Sequence, residues 1–280
     1  MKIFRHWAKA SAPTHNQNGL KITCYGGSNA SVADALREAQ ERAKSAAKRF
    51  NETSRLASYD YANGGLREEI INELQDEGET VAVITRNMAG CLVLNSPNVF
   101  FADIDYPPVC RPSFFAGLAS FFSGEKPPTN DQRVVETLQR IAEADSRLGI
   151  RLYRTKNGFR SLVTTRTFDA VSDETNRLLQ NFGADPLYVK LCRAQECFRA
   201  RLTPKPWRCG VSQPTVVFPF ENSETENRHR KWITKYEEAA KPFTTCILIG
   251  QFGSKAIHPA VESVLRVHDQ LACDGKGPLA

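Results

Sequence analysis

No stretch of this chain stays apolar for anything near the ~20 residues of a membrane-spanning helix, so an integral helical membrane protein is not expected. There is no Gly-x-Gly-x-x-Gly, no Walker loop and no Gly-x-Ser-x-Gly elbow. The common loop signatures of dinucleotide binding, P-loop phosphate transfer and serine hydrolysis are therefore missing. Internal repeats and low-complexity tracts are also lacking, which sets aside solenoids and disordered linkers. The opening M-K-I-F-R-H-W-A-K-A interrupts its apolar residues with Lys, Arg and His, and no signal-peptide core follows. Cysteine is present but unorganised: eight are scattered over 280 residues, without the density of a disulfide framework. The expected setting is a reducing cytoplasm with free thiols. Cys192, Cys197 and Cys209 follow a C-x4-C-x11-C spacing whose second close pair is missing. A structural zinc would have to borrow Cys110 or His229, so structural zinc is not expected.

What is present describes a globular protein with room for a core: 41% apolar residues, 24% charged, and a net charge of +6 that permits a polyanionic partner without requiring one. Residues 1–18 show little periodicity. Leu20–Tyr25 alternates as a strand, and Ser31 is a good N-cap for a helix over Val32–Phe50 with a small-residue stripe of Ala33, Leu36, Ala39, Ala43 and Ala47. Gly26-Gly27-Ser28 before it reads as a turn. After Gly64–Gly65 a short helix is expected over Leu66–Gln75. Thr80–Thr85, Cys91–Leu94 and Val99–Asp105 then read as a three-strand meander, stopped by Pro107, Pro108 and Pro112. Phe114–Phe122 is strongly apolar, and Gly124–Asn130 is loop-like.

Further on, Asp131–Leu148 has helical spacing, and Ile150–Thr155 and Phe159–Phe168 flank Lys156-Asn157-Gly158, where Asn-Gly is a strong hairpin signal. Asp173–Phe182 reads as a helix, Pro186–Gln195 as a further helical turn, Cys197–Thr203 as a strand, and Thr225–Ala240, Thr244–Gln251 and Ile257–Ala272 as helix, strand and helix. Over 98–203 the order strand-helix-strand-strand-helix-strand predicts an α+β fold around a ferredoxin-like antiparallel sheet. Residues 1–97 and 204–280 would pack around it as one unit.

The chemistry-bearing stretch is V-F-F-A-D-I-D over Val99–Asp105. On a strand, Asp103 and Asp105 share one face while Phe100, Ala102 and Ile104 take the other. Adjacent like charges are costly unless solvent, arginines or a metal offset them. In a ferredoxin-like sheet Arg160, Thr164 and Arg166 of the third strand, and Glu196, Arg199 and Arg201 of the fourth, would converge on these aspartates across a face left free of helices. Asp103, Asp105 and Glu196 are the candidate ligands for Mg²⁺ or Mn²⁺. Arg160 is a candidate catalytic cation; Arg199, Arg201, Lys205 and Arg208 are candidate substrate contacts. Lys190–Arg208 holds six basic residues against the single acid Glu196, with Phe198 and Trp207 able to stack on bases. The competing account is a structural acid–base cluster on a solvated basic surface.

The Ala102-Asp103-Ile104-Asp105 motif resembles the first motif of the archaeo-eukaryotic primase and primase-polymerase palm, a hydrophobic-Asp-hydrophobic-Asp strand of an RRM-like sheet. The resemblance covers about the middle third of the chain. It implies metal-binding aspartates and nucleotidyl or phosphoryl transfer on a nucleotide or nucleic acid. Where that family places a nucleotide-contacting histidine, this chain reads Gly158-Phe159-Arg160-Ser161. A third acidic motif would fall at Phe168-Asp169 or Glu196. A non-catalytic nucleic-acid-binding module and a scaffold are the alternative functions. His268-Asp269 resembles the doublet of metal-dependent phosphohydrolases, but its helix position predicts a surface or interface residue.

Overall fold

Among the described residues every strand ladder is antiparallel, and the strands form three sheets. The computed structural model describes residues 1–15, 19–53, 66–106 and 129–280. Gly64–Gly65, the three prolines 107, 108 and 112, the apolar run 114–122 and most of 124–130 lie outside the described residues. The first sheet is a hairpin of β1 (His6–Pro13) and β2 (Lys21–Ser28). β1 went unseen in the sequence because its small and polar residues offer no apolar contrast; pairing with β2 makes it a strand. Helix α1 (Val32–Thr53) packs on this hairpin, with Ser31 Oγ accepting the Asp34 N–H at 3.0 Å as its cap. Its buried stripe is Ala35, Ala39, Ala43, Ala47 and Phe50. Ala33 and Leu36 of the expected stripe point outward. Gly26 explains the close fit: a Cβ there would stand 2.2 Å from the Ala35 carbonyl oxygen.

The second sheet has the order β3-β4-β5-β9, built from β3 (Glu69–Asp76), β4 (Glu79–Arg86), β5 (Leu92–Ser96) and β9 (Phe198–Arg201). The helix expected over Leu66–Gln75 is thus an edge strand. Its Ile70, Ile71 and Leu74 fit either period, and the tight turn decides. Asp76 pairs with Glu79, and both intervening residues, Glu77 and Gly78, have positive φ, the geometry of a two-residue hairpin turn. The third sheet runs β10-β7-β8-β6: β10 (Cys246–Gly253), β7 (Gly149–Thr155), β8 (Gly158–Val163) and β6 (Phe101–Asp105). The acidic strand β6 therefore does not close a meander with β4 and β5. It crosses to pair with β8 instead, Asp103 opposite Arg160 and Asp105 opposite Gly158.

β9 lies beside β6, yet its hydrogen-bond ladder is with β5. The gap between β6 and β9 is filled by one hydroxyl. Tyr188 Oη donates to the Phe101 carbonyl (2.8 Å) and accepts the Arg199 N–H (3.3 Å). Tyr188 belongs to α4 (Pro186–Gln195), which follows α3 (Asp173–Asn181). With α2 (Asn130–Ala144), these helices serve the sheet face carrying Phe159 and Ile104, where Arg154 Nη2 meets Asp131 Oδ2 of α2 at 2.6 Å. The core runs from here into the second sheet through Phe100, whose ring lies 5.0, 5.1 and 5.4 Å from those of Phe168, Phe182 and Phe198.

The C-terminal part adds α5 (Ser223–Ala240), β10 and α6 (Pro259–Ala272). The strand expected over 244–251 lies at a sheet edge, with Ile247, Leu248 and Ile249 each more than two-fifths exposed. α6 corrects the expectation of an open sheet face: it covers the face bearing Phe101, Tyr153 and Arg160. His268 of α6 is fully buried there, its ring 5.2 Å from Phe101 and 4.9 Å from Tyr153. It is not a surface residue. Among the described residues no helix is long and apolar enough to cross a membrane.

Candidate phosphate and metal site

The C-terminal end of β6 is where the covered sheet face meets solvent. The strand's own pattern achieves this: Phe101 is buried, Asp103 is half-buried and Asp105 is exposed, all on one face. The β7–β8 hairpin pins the end of the strand. A Cβ on Gly158 would stand 2.1 Å from the Ile104 carbonyl oxygen, so only glycine lets the two backbones approach, and the Tyr106 N–H donates to the Asn157 carbonyl at 3.0 Å.

Asp103 and Asp185 both lie within electrostatic range of Asp105 here. The Asp185 N–H donates to the Asp103 carbonyl at 2.9 Å, which holds the start of α4 against β6. Partial desolvation, then repulsion from Asp103 and Asp185, raises the Asp105 carboxyl above its ordinary value, with Lys205 and Arg208 pulling it down. Asp185 was not foreseen as a site residue. Asp-Pro before a helix reads as an N-cap, and Asp185 is one, its Oδ1 accepting the Tyr188 N–H at 2.9 Å. Only the tertiary fold brings it to Asp105.

The cations come from β9 and the turn after it. Lys205 precedes the short 3-10 helix Pro206–Cys209 and Arg208 lies within it. Desolvation first, then the neighbouring Arg201 and Arg208 guanidiniums, lower Lys205. Desolvation likewise lowers Arg208, against the pull of Asp105. Arg201 is lowered by burial and then by Arg160; its Nη1 donates to the Thr203 carbonyl at 2.8 Å. Among the described residues Asp105, Arg201, Lys205 and Arg208 form no salt bridge within 4.0 Å; the ion pair at the site is the long Arg160–Asp103 contact of 3.6 Å. Trp207 stands beside them, 48% exposed, with Lys205 Nζ 5.5 Å from its ring centre.

Other expected members go elsewhere. Arg160 is buried, and its Nη1 donates to the Arg201 carbonyl at 2.8 Å and lies 3.3 Å from His268 Nε2, so it supports the site from beneath. Arg199 belongs to the core: Nη2 meets Glu68 Oε1 at 2.7 Å and Nη1 meets Asn95 Oδ1 at 2.6 Å. Glu196, in left-handed backbone at the end of α4, pairs with Lys2 Nζ at 2.9 Å and the N-terminal ammonium at 3.7 Å, and does not join the aspartates. Phe198 is buried against Phe100 and unavailable to a base. Thr164 Oγ1 donates to the Ala256 carbonyl at 2.9 Å, and Arg166 faces Glu174 at 3.7 Å. Asp169 Oδ1 accepts the Val171 N–H at 3.0 Å in a turn. A histidine does lie against Arg160, but it arrives from α6 rather than from β8.

Among the described residues the one group of three His, Cys, Asp or Glu with donor atoms within 4.8 Å of one another is His268, Asp269 and Cys273. Asp103, Asp105 and Glu196 do not form such a group. No family model, no curated protein and no solved structure matches the chain.

The raised carboxyl carries a stability prediction. Below the unfolded-state value of Asp105 both states hold the proton and the fold is not penalised; as pH rises through the higher folded value, ionisation costs stability. Asp105→Asn is therefore expected to stabilise the protein at pH 7, by no more than about 1 kcal/mol given solvent screening, with the gain shrinking as pH falls towards 4. Urea unfolding of both proteins across that range measures it.

Proposed function

We propose that the protein binds the phosphates of a nucleotide or nucleic acid at the exposed end of β6, and that Asp103 and Asp105 hold a Mg²⁺ or Mn²⁺ ion there for nucleotidyl or phosphoryl transfer. One observation carries the reading: Lys205 and Arg208 lie within electrostatic range of Asp105 without a salt bridge to it, and Asp103 has only its long 3.6 Å contact with Arg160, so Asp105 and the two cations retain an unmet electrostatic demand. A ligand combining phosphate with a hard divalent cation meets both demands. The donor set for such an ion would be two carboxylates on one strand face. Asp185 acts on Asp105 only through its charge, and the three do not gather their oxygens within 4.8 Å, so the ion would be a Mg²⁺ that keeps several of its waters. When bound, the ion would neutralise charge on phosphate oxygens. Lys205 and Arg208 would grip the phosphates, and Arg160 holds the Arg201 backbone and steadies Asp103.

We read the row β7-β8-β6, with β9 beside β6 across the Tyr188 hydroxyl, as a ferredoxin-like sheet of the primase-palm type to which β10 and the second sheet are additions. The exposed Trp207 favours a second reading, a non-catalytic nucleic-acid-binding surface using the same cations.

Thermal unfolding with a nucleoside triphosphate, with and without Mg²⁺ or Mn²⁺, separates these readings. The transfer reading expects a metal-dependent rise in midpoint, worth ~2.7 kcal/mol at a ligand concentration of 100 times Kd, lost in Asp103→Asn and Asp105→Asn. A shift that ignores the metal and survives both substitutions supports the binding module. No shift leaves a scaffold.

A further inference from the structure

Behind Arg160, where β10 begins and α6 ends, lies a cluster that the phosphate site does not use. Cys246 opens β10 and Cys273 follows α6, and their sulfurs are 3.4 Å apart. The backbone already ties the two segments: the Thr245 N–H donates to the Ala272 carbonyl at 3.1 Å, and Thr244 Oγ1 donates to the same oxygen at 3.2 Å. A sulfur–sulfur bond of about 2.05 Å needs little further approach. His268 Nε2 lies 3.9 Å from Cys246 Sγ, and its Nδ1 faces Asp269 Oδ1 at 2.9 Å. Cys246 is fully buried, whereas Cys273 is only half-buried, so one sulfur of the pair can be reached from outside.

Electrostatics favour a thiolate in the pair. The hydrogen bond from Cys273, then that from His268, lowers the Cys246 thiol against its burial; the same shared bond raises Cys273. The two sulfurs thus share one proton. A resident metal fits less well. Arg160 Nη1 stands 3.3 Å from His268 Nε2, and Asp269 is taken by Arg151 Nη1 at 2.7 Å and by the Tyr153 hydroxyl at 2.8 Å. Two guanidiniums therefore fill the places where a cation would sit.

We propose that Cys246 and Cys273 form a reversible disulfide when the protein meets a hydroperoxide. The resting pair keeps the proton on Cys273. Its transfer to Cys246 across the 3.4 Å contact leaves the thiolate on Cys273, the sulfur open to solvent, which attacks the outer peroxide oxygen. The O–O bond breaks, hydroxide or alkoxide leaves, and Cys273 becomes a sulfenic acid. The Cys246 sulfur then attacks the Cys273 sulfur; the S–S bond forms, the S–O bond breaks, and the departing hydroxide takes the Cys246 proton as water. Both sulfurs are oxidised and the peroxide is reduced. A thiol reductant reverses the bond by exchange.

The test uses the full chain, reduced, treated with a small excess of hydrogen peroxide, alkylated and digested without reductant. The expected product joins the Cys246 and Cys273 peptides, lighter by two hydrogens than their sum and separated by dithiothreitol. Cys273→Ser is expected to abolish the link and Cys24→Ser to leave it unchanged. Mapping of the unaltered protein carries the test if a variant fails to fold. The proposal is overturned if both cysteines remain alkylatable after other thiols have oxidised, or if Cys273 proceeds to sulfinic acid without a link. One equivalent of zinc in the purified protein, released by peroxide, also overturns it.

Discussion

Arg199→Ala is expected to cost about 3–5 kcal/mol of stability, the usual penalty for stranding a buried charge. Glu68 is 4% exposed and accepts from both Arg199 Nη2 and Thr85 Oγ1. Burial alone would lower the Arg199 guanidinium, but the Glu68 carboxylate together with Cys197 and Cys192 more than offsets it and the net shift is upward. Removing the arginine leaves that carboxylate and the Asn95 amide oxygen without their partner. The double substitution Arg199→Leu with Glu68→Leu is expected to recover most of the loss, since apolar pairs often replace buried ion pairs at little cost. Urea unfolding of the unaltered, Arg199→Ala and doubly substituted proteins measures both effects. Phosphate affinity per folded molecule should be unchanged in Arg199→Ala, because Arg199 faces the core of the second sheet and not the β6 site.

The Lys205→Ala/Arg208→Ala protein should behave in the opposite way. A hydrogen bond to a charged group is worth ~1.5–3 kcal/mol net. Losing two such phosphate contacts, ~3–6 kcal/mol together, predicts an affinity for a single-stranded oligonucleotide weaker by at least ~100-fold. The slope of log affinity against log salt should fall by about 1.4. Stability should not suffer, because Lys205 is lowered by desolvation and by its cationic neighbours, and its removal relieves that crowding. Fluorescence anisotropy across a salt series reads affinity and slope together. An unchanged slope would show that these cations touch no phosphate.

The contrast between Arg199 and Arg208 shows how far the sequence could be read. Alternation placed Arg199 and Arg201 on one face of β9, and they do share it. One residue apart along that face, however, lies the difference between the buried Glu68 of the second sheet and the open end of β6. No local pattern carries that information. The hairpin at Asn157-Gly158 and the bounds of α4 were legible because turn chemistry and capping are local. β3 was read as a helix because its apolar spacing suits both periods, and the choice lay in two positive-φ residues after it. Glu196 looked like a third metal ligand because it follows a helix and opens a basic strand, but its left-handed cap turns it towards Lys2. Asp185 was hidden by an ordinary capping role. The covering of the sheet by α6 joins residues more than a hundred positions apart, as Arg160 and His268 are, and no motif spans that distance.

The proposed function requires a divalent ion on the aspartates of β6. Mn²⁺ titration followed by water-proton relaxation tests it most directly, since the bound paramagnetic ion is observed without nucleotide or turnover. The account predicts one saturable site in the unaltered protein, lost in Asp103→Asn and in Asp105→Asn, and kept in Glu196→Gln. Equal Mn²⁺ binding by all four proteins, or none by the unaltered one, would contradict it.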